Sequence, residues 1–179
     1  ISPDGAYAVS GHVDETIGTT TADRTDRTVR LWDTATGRQL FRLDPKLGFV
    51  RTVDFSPDST MVLAGSWSSA AGGVVVIWDV RTGTEIQRIF ADVSVITSAR
   101  FSPDGRSILV GSWGRTVSLW NISTGANIDR FEGLSDRVLA IDISPDGQHA
   151  IIGTGSVGNN DIGIAFDKPA DTSAWLIDL

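Results

Sequence analysis

Two acidic, glycine-containing stretches are the first places where this chain could do chemistry. Asp14, Glu15, Asp23 and Asp26 lie between His12 and Arg27, and Asp161, Asp167 and Asp171 lie between Ser156 and Ser173. Carboxylates suit hard cations, but a calcium loop needs acidic residues at alternating positions around a turn glycine. Neither stretch has that spacing, so we read these groups as solvated loop carboxylates and expect no metal. His12 and His149 are the only histidines and cysteine is absent. Thiolate nucleophiles, disulfides and Cys-held metals are therefore excluded, and no Ser/His/Asp or His-rich set has a recognisable spacing. The run from Gly155 to Asn160, GSVGNN, lacks the lysine and following helix of a phosphate loop. The expectation is a chain with no catalytic residues and no cofactor.

The remaining candidates are aromatic. Gly65-Ser66-Trp67 and Gly111-Ser112-Trp113 place the same tripeptide twice. Trp32, Trp78 and Trp120 each end a short apolar run. Whether these rings bind a partner or fill a core depends on the elements that carry them.

Those elements repeat. The turn Ser-Pro-Asp starts at Ser2, Ser56, Ser102 and Ser144, and a glycine follows each serine by 9 residues, at Gly11, Gly65, Gly111 and Gly153. The third marker is Trp32, Trp78, Trp120 and, in the last copy, Ile177; each tryptophan precedes the next serine by 24 residues. Only the glycine-to-Trp interval varies, being 21, 13, 9 and 24 residues in the four copies. Intervals of fixed length belong to packed structure, and the variable one projects into solvent. Apolar residues alternate between the markers: Val50, Val53 and Phe55 match Ile96, Ala99 and Phe101, then Val138, Ile141 and Ile143. A Thr-Gly turn ends at Gly37, Gly83 and Gly125, 5 residues after each tryptophan. Each unit thus reads as four short antiparallel strands joined by tight turns.

Bulk properties agree with a folded β chain. The 179 residues are 41% hydrophobic, with 19 glycines, and no apolar run reaches the roughly 18 residues of a membrane helix. The net charge of −7 argues against nucleic acid or an anionic membrane as the main partner, since both select a basic surface. The chain opens at Ile1 inside a copy of the turn, and we read it as part of a longer protein whose compartment the sequence leaves open, with the cytoplasm favoured.

The set FSPDG, then Gly-Ser, then V-x-L-W-D and Thr-Gly resembles the WD40 repeat, over residues 1–179 apart from the insertions. The resemblance implies an all-β fold: a β-propeller of four-stranded antiparallel blades, here a partial ring of about 3.5 blades, with units near 1–43, 50–90, 96–131 and 138–179. Its strands are labelled a, before the Ser-Pro-Asp turn, then b, c and d. Many members of the family hold strand c with a buried network of a d–a loop His, a b–c Asp, a strand-b Ser and the Trp. Here Ser66 and Ser112 keep the serine place, His12 and Thr154 substitute, the d–a loops have no His, and Gly114 holds the Asp place. The resemblance therefore implies structural roles for Trp32, Trp78, Trp120, Ser66 and Ser112, with an incomplete network in every blade.

In that fold the b–c connections and the d–a loops share one rim, the top. All the length variation falls there. Trp67 and Trp113 are placed just past strand b on that rim, and Phe49, Val95 and Arg137 open strand a beside them. The resemblance implies a non-enzymatic scaffold that binds a protein or peptide through these five residues. The alternatives are a propeller enzyme with a channel-mouth site, or a structural spacer beside a signalling or enzymatic domain. A partial ring also leaves blade faces uncovered, so the remaining blades of a longer chain are expected partners.

Overall fold

A computed structural model describes residues 1–12, 27–46, 48–68, 71–155 and 174–179. The acidic stretches considered above, with the long b–c insertions that contain them, lie outside the described residues. The described residues form strands and turns without a helix, arranged as four antiparallel sheets that do not close into a ring.

The first sheet holds β1 (Tyr7–Gly11), β2 (Val29–Asp33) and β3 (Gln39–Leu43) in that order. The second holds β4 (Val50–Phe55), β5 (Met61–Ser68), β6 (Gly72–Asp79) and β7 (Glu85–Asp92). The third holds β8 (Ile96–Phe101), β9 (Ser107–Ser112), β10 (Val117–Asn121) and β11 (Asn127–Phe131). The fourth holds β12 (Val138–Ile143), β13 (His149–Thr154) and β14 (Ala174–Asp178). Strands of each sheet are adjacent in the order of the chain, as short hairpin connections dictate. The four-stranded antiparallel unit expected from the spacing is observed in the second and third sheets, and the first and fourth have three strands among the described residues.

The Ser-Pro-Asp turn is built the same way four times. The hydroxyls of Ser2, Ser56 and Ser102 donate to Oδ1 of Asp4, Asp58 and Asp104 at 2.6 Å, and Ser144 donates to Asp146. The same Oδ1 atoms accept the backbone N–H two residues on, at Ala6, Thr60, Arg106 and Gln148. Three of the turns then use a glycine with φ of +75°, +69° and +72° (Gly5, Gly105 and Gly147). Ser59 takes that place in the second turn at φ +62°, a conformation that costs an L-residue about 1–2 kcal/mol. It is held by the bond from the Asp4 N–H to its Oγ, which joins the first two sheets. At the same rim, Asp33 and Asp79 accept from the hydroxyl and amide of Thr36 and Thr82, and Asn121 does the same with Thr124. The residue after each tryptophan is therefore a turn cap.

These bonds make stability depend on pH. The serine hydroxyl first, then the backbone N–H, lowers the carboxyls of Asp4, Asp58, Asp104 and Asp146 below the ordinary 3.8; threonine hydroxyls and amides do so at Asp33 and Asp79. A carboxyl lowered in the folded state contributes stability that is present above 3.8 and lost as pH falls through the lowered value. Asp54 has the opposite sign, because burial raises it, and its contribution is lost as pH rises. Asp92 is lowered as well, and seven lowered groups against one raised group decide the direction. The melting temperature should fall as pH drops from about 6 through 3.8 and below, and Ser102→Ala should flatten that slope. A melting temperature independent of pH over this range contradicts the turn assignment.

Three hydrophobic clusters lie between successive sheets. Val29, Leu31 and Leu43 pack on Val62, Val74, Val76 and Trp78 of the second sheet. Leu63, Val75, Ile77 and Ile89 pack on Ile96, Phe101, Ile108 and Val110 of the third. Leu109 and Val117 pack on Val138, Ile141, Ala150 and Ile152 of the fourth. One face of each sheet thus covers its predecessor. The spacing glycines mark the closest approach: a Cβ on Gly65 would lie 2.8 Å from Ile96 Cγ2, and one on Gly111 would lie 2.5 Å from Val138 Cγ1. Gly153, with no following sheet, meets nothing nearer than 3.9 Å. The same end effect exposes Ile151 by 54%, whereas its counterparts Leu63 and Leu109 are fully covered.

Candidate functional site

Strand a opens on the top rim in the last three sheets, and in each the pairing shifts by one residue there. Val50 pairs with Ser66 and Thr52 with Gly65, which leaves Arg51 as the extra residue of a bulge. Thr97 and Leu139 hold the same place. A bulge re-aims the side chain it carries. Thr97 turns its hydroxyl onto the Gly111 and Val138 carbonyls, at 3.1 and 2.8 Å. Arg51 is exposed, and its guanidinium lies over the Trp113 ring, 5.2 Å from the centroid.

Trp113 is held from below. Its backbone N–H donates to the Val95 carbonyl at 2.9 Å, and its neighbour Gly114 donates its backbone N–H to Ser112 Oγ at 3.0 Å. Ser112 Oγ donates to Asp92 Oδ2 at 2.9 Å, and Thr116 Oγ1 donates to the same oxygen. The Asp92 side chain is only 5% exposed, and Arg130 reaches it at 3.7 Å. Burial alone would raise this carboxyl. The Thr116 and Ser112 hydroxyls, with the Ser94 N–H and Arg130, outweigh burial and hold it below the usual range. In the third blade a different residue supplies the carboxylate partner of the strand-b serine, while the Trp120 indole donates to Ser118 and stays outside the network. Asp92, at the end of β7, supplies the carboxylate that Gly114 cannot.

Arg137 completes the cluster. Its carbonyl accepts the Gly155 N–H at 3.0 Å, the counterpart of the Val95–Trp113 bond, and its guanidinium lies 4.8 Å from the Trp113 centroid. Three successive sheets therefore bring Arg51, Trp113 and Arg137 together. A second pair lies nearby in the chain: Arg27 stacks over Phe49 at 5.1 Å, with its Nε buried and without a hydrogen-bond partner. Cation–π contacts of this kind orient a guanidinium while leaving its N–H donors free for a ligand.

Of the five expected top-face residues, Trp113, Arg137 and Val95 form one contact set. Phe49 is half-buried and pairs with Arg27. Trp67 differs from expectation: it lies inside β5, opposite Gly73, and not past the strand. The longer b–c connection of the second sheet is spent on lengthening the β5–β6 hairpin, where Ser68 pairs with Gly72. The Trp67 carbonyl packs against Gly48, at a distance that leaves no room for a Cβ.

The residues given structural roles are placed as follows. Trp78 is buried at 3% exposure, while Trp32 and Trp120 are half-buried. The Trp32 and Trp120 indoles donate to Ser10 and Ser118 Oγ at 3.1 and 2.7 Å. Ser66 Oγ lies 2.9 Å from the Gly48 carbonyl and 3.1 Å from that of Phe49, and so ties the d–a loop to strand b.

A shallow groove on the opposite rim, lined by Pro57, Asp58, Pro103, Asp104 and Gly105, is a weaker candidate. Both of its carboxylates are engaged by their own serines. Among the described residues no three His, Asp or Glu side chains converge as metal ligands.

Comparison with known families gives one match. The model for the WD40 repeat, described as WD domain, G-beta repeat, matches residues 37–79 and 83–121. Each match begins at a Thr-Gly glycine and ends at the residue after the tryptophan, so it covers the outer strand of one sheet and three strands of the next. No curated protein gives a match.

Proposed function

The chain carries WD40 repeats, and from that premise we propose that it is a non-enzymatic scaffold whose top rim binds a protein or peptide. WD40 repeats generally mediate protein interactions or scaffolding. The observation that carries the reading for this chain is Trp113, whose backbone is set by the Val95 carbonyl and the adjoining Asp92 network and whose ring is stacked by Arg51 and Arg137 at a rim that adjoins three sheets. A rigid aromatic beside arginines has the make-up of an interaction anchor. Phe49 and Trp67 extend the same rim. The open face of the fourth sheet, with Ile151 54% and Leu176 72% exposed, is the place where a further blade of a longer chain packs.

The test is selection of peptide binders on the wild-type chain, followed by affinity measurement with Trp67→Ala/Trp113→Ala. Because Trp67 lies within β5, Trp113→Ala alone is measured in parallel. Affinity should fall about tenfold or more in either folded variant. Undiminished binding by the folded double variant rejects the rim.

A further inference from the structure

We infer that the partner segment is acidic: an extended peptide whose carboxylates, two residues apart, sit on Arg51 and Arg137 with Trp113 between the two guanidinium groups in the contact chain. This rests on the top-rim reading and names its ligand chemistry.

Three observations lead there. First, both guanidinium carbons lie about 5 Å from one ring centroid, so they are within about 10 Å of each other. Two like charges at that separation repel, and an anion lying against both relieves the repulsion. Second, neither guanidinium forms an ion pair or hydrogen bond among the described residues, although acidic side chains outnumber basic ones, 22 to 15. The other arginines of the same neighbourhood illustrate the contrast: Arg88 is bound by Glu85, and Arg130 by Glu132 and Asp92. Third, the bulge in β4 sets the backbone that carries Arg51, the bond from the Gly155 N–H sets that of Arg137, and both guanidiniums stack on the Trp113 ring. Pre-positioned guanidiniums with free N–H forks match carboxylates in charge and in planar geometry.

The spacing selects the ligand's form. In an extended chain, side chains two residues apart project on one face about 6.6–6.8 Å apart, below the upper bound of about 10 Å that the two ring contacts set on the guanidinium separation. The net charge of −7 disfavours such a segment on average over the surface, so a paired basic site on one rim also favours one orientation of docking.

The experiment titrates the full chain with a fluorescein-labelled decapeptide of alternating Gly and Glu, and with the Gly/Gln counterpart. The Glu peptide should bind, with the Gln peptide at least about tenfold weaker. Arg51→Gln and Arg137→Gln should each weaken it about tenfold. The double variant Arg81→Gln/Arg106→Gln removes two exposed charges from the opposite rim and should stay within about twofold of wild type. Trp113→Leu keeps both charges and should still weaken binding about threefold, because the ring aligns the guanidiniums. Losses in Arg51→Gln and Arg137→Gln no larger than that in Arg81→Gln/Arg106→Gln, equal binding of the Gln peptide, or no binding of the Glu peptide overturns the inference. Selection of neutral peptides that require Trp113 would leave the rim standing while removing its acidic specificity; failure of both experiments removes the rim as well.

Discussion

Trp78→Ala is expected to destabilise the chain by about 3–5 kcal/mol. The side chain is 3% exposed and sits in the cluster between the first two sheets, with Val29, Leu31, Val62, Val76 and Val80. Burying an indole removes about 150–250 Å² from water, about 4–6 kcal/mol as an upper bound. The cavity adjoins two sheets, so neither can relax into it without losing contacts to the other. The effect should be unequal across the three repeats. Trp120 is half-buried and Trp32 faces the side where no preceding sheet is described, so their alanine variants should cost roughly 1–3 kcal/mol. Urea denaturation of the three variants checks the order. A Trp78→Ala midpoint no lower than that of Trp32→Ala contradicts the packing described here.

Asp92→Ala is expected to cost about 2–4 kcal/mol. The carboxylate is the common acceptor for Ser112 and Thr116, both buried, and it closes a contact between the second and third sheets. Removing it leaves the two hydroxyls bonded to each other at 2.9 Å, which places the cost below that of stranding both. Asp92→Asn keeps an acceptor and should recover part of the loss. The same substitution should loosen the turn that carries Trp113, so affinity at the rim should fall together with stability. A thermal unfolding curve for Asp92→Ala that overlays the wild type removes Asp92 from both roles.

The repeat was legible because physics fixes its intervals. The 9-residue spacing ends on glycines that, at Gly11, Gly65 and Gly111, the next sheet touches, and the Ser-Pro-Asp turn is closed by bonds between its Ser and Asp, with Pro fixing φ. The equality suggested by the repeated Trp was misleading: Trp32 lies in the first sheet, where no preceding sheet is described, and Trp120 is half-buried although sheets flank it on both sides. Asp92 escaped notice because the familiar network places its carboxylate in the b–c turn. Here it comes from the end of β7, 20 residues before Ser112, and nothing local to either residue announces the pairing. Arg51 was legible after all. Val50, Val53 and Phe55 are spaced by three and then two, as are Ile96, Ala99 and Phe101. A strand with strict alternation would be spaced by two throughout, and the extra residue is the bulge that aims Arg51 at the rim.

The claim that partners dock on the top rim is tested most directly by hydrogen–deuterium exchange of the chain with and without a bound peptide. Binding should slow exchange at 49–51, 95–97, 112–116 and 137–139, the backbone around Phe49, Arg51, Val95, Trp113 and Arg137. The Ser-Pro-Asp turns at 57–60 and 103–106 should be unchanged. Protection confined to those turns, with the rim exchanging as in the free chain, would contradict it.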